Sequence, residues 1–202
     1  LAILTFPGIL CRIKDQFHIS MPHIQVIDLF AGPGGLGEGF SAFSIQQGKK
    51  KHHPFTISMS VEKEASAHQT LQLRAFFRKF EEGKAPEEYY DYLKNPEKIS
   101  REKLFQLYRD ESEEAIQETF SKPMTLGTED DDTVFKRLKS LKKDHTGPRL
   151  VIGGPPCQAY SLVGRARNLG TAGYSAEKDH RHFLYREYLK VLALMEPEVF
   201  VM

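Results

Sequence analysis

Ile24 to Phe30 (IQVIDLF) is a short, apolar, β-branched run that leads straight into Ala31-Gly32-Pro33-Gly34-Gly35-Leu36-Gly37. That turn holds four glycines in seven residues, and an apolar-periodic segment with Phe40 and Phe43 follows it. The run reads as a buried strand and the segment after the glycines as a helix. Strand, glycine-rich turn, helix is the first unit of a nucleotide-binding α/β fold. The glycines let the backbone approach a ligand, and the helix start offers it free amides. Gly32, Gly34 and Gly37 satisfy the G-x-G-x-x-G spacing of dinucleotide sites, a weak match by itself. In that fingerprint the glycines follow the strand at once. Here Asp28 stands at the strand end, with Leu29, Phe30 and Ala31 before the first glycine. A carboxylate repels a pyrophosphate but accepts hydrogen bonds from an amino group, which favours a cofactor with a cationic amino-acid part. The plainer reading of Asp28 is a turn or capping aspartate.

A second strand stops more abruptly. Leu150 to Ile152 is apolar, and Gly153-Gly154-Pro155-Pro156 ends it just before Cys157. The prolines fix two φ angles and remove two donors, so the loop is stiff and not helical. A lone cysteine is usually an inert packing residue. A thiol on a stiff loop past the carboxyl end of a strand, where open α/β sheets hold their ligands, suits a positioned nucleophile better.

Between these strands, Gly48 to His53 (GKKKHH) reads as a solvated basic loop and Phe55 to Val61 as a second strand. Glu62 at its end stands where such folds bind ribose hydroxyls, although a glutamate favoured by a helix dipole explains it nearly as well. Ala65 to Phe80 reads as a helix. Residues 81–122 read as a helical insertion, with helices near 86–94, 100–108 and 111–120 and acids such as Glu113 and Glu114 on a solvated face. Pro123 to Leu126 reads as a short strand. Glu129 to Asp132 is an acidic turn with a complete capping explanation, so no metal site is expected there. Val134 to Lys143 and Asp179 to Met195 read as helices, and Val199 to Met202 opens a further buried strand. Leu162 to Ala176 is a polar, basic, glycine-rich loop suited to a phosphate backbone or a substrate. Strands separated by helices imply an α/β fold with a doubly wound, mostly parallel sheet covered on both faces.

Composition adds bounds. The net charge of +1 neither indicates nor excludes nucleic acid. Two cysteines, Cys11 and Cys157, do not make a disulfide framework, and a reducing compartment is the default. No apolar run is long enough to span a membrane. Residues 1–21 read as an N-terminal extension without assigned function; Pro7 and Gly8 interrupt its apolar start, which argues against a signal peptide.

Three stretches together resemble the DNA cytosine-5 methyltransferases. Asp28 to Gly35 (DLFAGPGG) is similar to the family's S-adenosylmethionine loop, and Gly154 to Ser161 (GPPCQAYS) to its catalytic proline-cysteine loop. Asp179-His180-Arg181 with Leu184-Tyr185 resembles the start of the helix after that loop. The resemblance covers about residues 22–202 and implies a Rossmann-like S-adenosylmethionine-dependent methyltransferase domain. It implies that Asp28, Phe30, Ala31, Gly32, Gly34, Gly35, Pro155 and Leu184 hold S-adenosyl-L-methionine, with Glu62 on the ribose and one acid among Glu129, Asp130 and Asp131 facing the adenine. It implies Cys157 as the nucleophile, with Gln158, Ser161 and Arg165 beside double-stranded DNA whose target cytosine is flipped out. S-adenosyl-L-homocysteine is the implied product, and the bacterial cytoplasm and a restriction-modification system the implied setting. The family's Glu-Asn-Val segment, which would follow the strand at Val199, its later arginine motif and its target-recognition domain do not occur in these 202 residues. Residues 22–202 are therefore expected to be an incomplete catalytic domain, inactive alone. A non-catalytic half of a split enzyme and an NAD-dependent oxidoreductase are the alternatives.

Overall fold

The computed structural model of the chain describes residues 23–48, 50–155 and 184–202. In chain order the elements are β1 (Ile24–Leu29), α1 (Gly35–Ala42), β2 (Ile45–Gln47), β3 (Lys50–His52), β4 (Phe55–Val61) and α2 (Ala65–Phe77). Then come α3 (Glu87–Lys94), α4 (Arg101–Leu107), α5 (Arg109–Thr119), α6 (Asp131–Asp144), β5 (Arg149–Ile152), α7 (Leu184–Met195) and β6 (Val199–Val201). The main sheet runs β4-β1-β5-β6, and every pairing in it is parallel. The chain leaves β1 for β4 on one side and later reaches β5 on the other. The strand order therefore reverses about β1, and in such sheets the ligand crevice lies at the carboxyl ends beside that reversal. This is the expected α/β, Rossmann-like architecture.

Strand side chains alternate between two buried faces, which is why these strands read as nearly continuous apolar runs. On one face Ile27, Leu29, Met59, Val61 and Val151 pack with Val134 and Leu138 of α6 and with Tyr188, Val191 and Met195 of α7. On the other, Val26, Ile57, Leu150 and Ile152 pack with Phe40 of α1. A third cluster joins Ala75 and Phe76 of α2 to Tyr89, Leu104 and Ala115, one from each of α3, α4 and α5. The insertion is thus fastened to α2 by a core of its own.

Four expectations need correction. The basic stretch 48–53 is not a plain loop: β2 and β3 form an antiparallel hairpin, with Gly48 at φ 62° supplying its left-handed turn. Residues 123–126 form no strand. Met124 donates to the Glu62 carbonyl at 2.8 Å, but Pro123 has no amide hydrogen and no ladder continues. The helix after β4 ends at Phe77, with Arg78 as its C-cap. β6 is a strand as expected, but an exposed one: Val199, Phe200 and Val201 are 58%, 54% and 43% exposed, because β6 has only β5 beside it among the described residues.

Candidate cofactor and active site

The site is built where β1, β4 and β5 end. Phe30, directly after β1, has φ 55°, a left-handed conformation costly for a side chain of this size. Its neighbours hold it there. Ala31 donates to the Val61 carbonyl at 3.0 Å, and Gly32 donates to Glu62 Oε2 at 2.7 Å. Gly34 has φ 88°, which favours glycine, and a β-carbon there would meet the Leu71 Cδ1 methyl at 2.8 Å. Glu62 Oε1 accepts from the Glu64 amide at 2.7 Å, so one carboxylate ties the glycine turn to the start of α2. Capping of α2 belongs to Glu64, whose side chain accepts from Ala67, and not to Glu62.

The β5 end meets the β1 end at Gly153. Its φ is 136°, and a β-carbon there would lie 2.7 Å from the Leu29 carbonyl carbon. Gly153 donates to the Val201 carbonyl at 3.0 Å. The buried Tyr188 hydroxyl shares its one proton between the Val201 carbonyl at 3.1 Å and the Val151 carbonyl at 3.3 Å, which pins the ends of β5 and β6 together. Burial, with a smaller contribution from Asp28, pushes this phenol up to about 12, so it stays a donor.

A cavity of about 560 Å³, counting its open mouth, lies between these ends. Phe30, Val61, Met124, Leu126 and Leu184 give it apolar walls, while Glu62, Lys63, Thr125 and Gly154 complete it. Mostly apolar walls with a few polar groups give it the character of a small-molecule site. Of the residues singled out in the sequence, Phe30, Glu62 and Leu184 line the cavity. Ala31, Gly32, Gly34 and Gly35 form the turn beside it, and half-buried Pro155 follows Gly154. Met124, Thr125 and Leu126, expected in a strand, form part of its wall. The acids behind them point elsewhere: Asp130 accepts from Thr125 at 3.0 Å and from Lys122 at 2.9 Å, Asp131 accepts from Gly127 at 2.8 Å, and exposed Glu129 is outside the lining. Cys157, Gln158, Ser161 and Arg165 lie outside the described residues. No metal-binding group of His, Cys, Asp or Glu occurs among the described residues, and none of their helices is long and apolar enough to cross a membrane.

Asp28 does not line the cavity. It is 1% exposed beneath the first turn of α1, where a β-carbon on Gly37 would lie 3.0 Å from its Oδ2. Burial raises its pKa to about 7; the Gly37 amide and Arg78 pull it down, and Glu118 and Glu62 push it up. Two cations, Arg78 and Lys79, face two carboxylates, Glu38 and Glu118, in the adjoining cluster. That cluster is balanced without Asp28, so a charge on Asp28 would stand uncompensated in a dry site.

The family model of the C-5 cytosine-specific DNA methylases matches residues 97–202, more than half of the chain. The type II methyltransferase M.Bpa9945I of Bacillus paralicheniformis is 36% identical over 188 residues, which cover 87% of this chain and 39% of that protein. The type II methyltransferase M1.HphI of Haemophilus parahaemolyticus is 35% identical over 77 residues, covering 38% and 18%. M.BspRI of Lysinibacillus sphaericus, also a type II methyltransferase, is 26% identical over 192 residues, covering 93% and 34%. The chain spans about two fifths or less of the length of these curated relatives. No solved structure matches it. With the sheet order, the glycine turn and the family match in agreement, the chain belongs to the C-5 cytosine-specific DNA methylases.

Proposed function

We propose that this protein transfers a methyl group from S-adenosyl-L-methionine to C5 of cytosine in double-stranded DNA, leaving S-adenosyl-L-homocysteine. One juxtaposition supports the reading: an apolar cavity with a carboxylate at the glycine turn opens at the same sheet end as the Gly154-Pro155 lead into Cys157. The cavity suits the cofactor chemically. Phe30, Val61, Met124, Leu126 and Leu184 offer apolar surface to an adenine, and Glu62 has lone pairs beyond those its two backbone donors use. A ribose diol donates to a carboxylate, whereas a dinucleotide pyrophosphate in the same place is repelled by it. That favours a nucleoside without phosphates over NAD. Asp28, Ala31, Gly32, Gly34, Gly35 and Pro155 act as the frame of this pocket. When bound, the cofactor supplies a methyl group on an electrophilic sulfonium.

In this proposal the cytosine leaves the helix stack to reach the cleft. The Cys157 thiolate adds to C6, which makes C5 enamine-like and nucleophilic. After methylation, loss of the C5 proton expels the thiolate and restores the ring. Gln158, Ser161 and Arg165 lie beside the DNA. Residues 22–202 form part of a catalytic domain, residues 1–21 an extension of it, and a further segment or second subunit packs on the exposed apolar β6. The relatives' name, type II methyltransferase, suggests a bacterial cytoplasmic restriction-modification setting. The deciding experiment is covalent trapping on DNA containing 5-fluorocytosine. A longer chain that carries these residues should form an adduct and its Cys157→Ser variant should not; an adduct in that variant would remove Cys157 from the reaction. Titration with S-adenosylhomocysteine and NAD separates the oxidoreductase alternative, which predicts that only NAD binds.

A further inference from the structure

The helical insertion has no role in the proposed chemistry, yet it reaches the glycine turn through a chain of contacts. Leu71, Arg74 and Arg78 recur on α2 at spacings of three and four, which places them on one face. That face lies against the turn: Leu71 Cδ1 is the atom nearest to where a β-carbon on Gly34 would stand, and Arg74 Nη1 donates to the Pro33 carbonyl at 2.9 Å. Arg78 forms an ion pair through Nη1 with Glu38, in the first turn of α1, and donates through Nη2 to Glu118 of α5. Glu118 is 4% exposed and also accepts from Lys79 at 3.0 Å. It is a buried anion on the insertion whose partners sit at the end of α2. Removing its charge leaves Arg78 with one carboxylate instead of two in a water-poor site and weakens the charge-assisted bond that orients the planar guanidinium.

We infer that Glu118, Arg78 and Arg74 are positioning residues: through them the insertion braces the glycine turn and α1 in the shape that the ligand cavity requires. The ligand side of this inference rests on the cofactor reading above, whereas the brace itself does not. The test therefore has two readouts, both made well below the melting temperature. The first is hydrogen exchange of amides 31–38 in the unliganded protein; among these, Ala31, Gly32, Gly34 and Glu38 are bonded within the turn, to Glu62 or to the end of β4. The second is S-adenosylhomocysteine affinity by calorimetry.

Glu118→Gln keeps the shape of the side chain and should speed exchange in 31–38 and weaken binding about three- to tenfold, within the range of coupling changes found for residues outside a site. Glu113→Gln, which removes an exposed carboxylate on the same helix, should change neither. Glu38→Gln combined with Glu118→Gln should cost less than the sum of the two, because both act through Arg78. If Glu118→Gln fails to fold, Arg74→Met decides with the same readouts, since its contact with Pro33 is at the surface. Unchanged exchange in 31–38 for a folded variant, or faster exchange spread evenly over the protein, overturns the brace. If the wild-type protein does not bind S-adenosylhomocysteine, the cofactor reading falls, and the exchange comparison still decides the brace.

Discussion

Replacing Gly153 by alanine should do far more damage than the same change one residue later. At φ 136° an alanine pays about 1–3 kcal/mol in backbone strain alone. Its β-carbon would also lie 2.7 Å from the Leu29 carbonyl carbon and 3.0 Å from the Leu29 amide nitrogen. These are backbone atoms of the central strand, so no rotamer change relieves the clash. The β1 and β5 ends must part, which strains the Gly153 to Val201 hydrogen bond and adds about 1 kcal/mol. The total is about 2–4 kcal/mol, and at 2–4 °C per kcal/mol for a chain of this size the melting temperature should fall by about 10 °C. At Gly154 a β-carbon meets nothing within 4 Å, so Gly154→Ala should stay within about 0.5 kcal/mol of wild type. It would nonetheless narrow the cavity that Gly154 lines. Thermal melts followed at 222 nm, with urea titrations to give the free energies, compare the two directly. Melting temperatures for the two variants within about 2 °C of each other would show that the strand ends do not meet as closely as described.

Two more perturbations probe the same region. Asp28, with its pKa raised from 3.8 to about 7, holds a proton in the folded state that it releases when unfolded between those values. Its contribution to stability is thus full below about pH 3.8 and is lost as pH rises through 7. Between pH 5 and 8 the wild type should lose about 2–3 kcal/mol relative to Asp28→Asn, which cannot ionise; parallel stability curves from urea titrations would rule out a buried acid that protonates on folding. Glu62→Gln leaves only one acceptor oxygen for the Gly32 and Glu64 amides. It should weaken S-adenosylhomocysteine about tenfold while costing about 1 kcal/mol of stability. Unchanged affinity by calorimetry would mean that the carboxylate holds the turn and does not touch the ligand.

The strands at the heart of the sheet were legible because burial on both faces leaves a mark that needs no partner to be read. Ile24–Leu29, Phe55–Val61 and Arg149–Ile152 are mostly apolar and end in glycine, proline or an acid. The insertion helices were legible from serine, proline and asparagine punctuation: Ser100 does cap α4 by accepting from Lys103. What escaped depends on pairs distant in sequence. Lys50 to His52 carries no apolar alternation, so only its pairing with Ile45 to Gln47 makes it a strand. Met124 to Leu126 looked like a strand because buried apolar residues in a short run satisfy that pattern whether they face a neighbouring strand or a cavity.

Asp28 carries the sharpest lesson about sites. Its position after a strand and before the glycines suggested an acid aimed at a ligand. The parity of β1 decides otherwise, since residues 24, 26 and 28 share a face, and Ile24 and Val26 pack in the cluster that holds Phe40 of α1. Asp28 therefore lies under the helix that the glycine turn begins, near a cluster whose charges already balance. Glu62, one strand away and just past its end, is free of that parity and bonds to Gly32 at the cavity. Two acids with the same apparent address thus have different work. Asp28 is buried beneath α1 and prefers to be neutral, whereas Glu62 faces the cavity as an acceptor. The difference arises from one residue's step along a strand, which a motif match does not record.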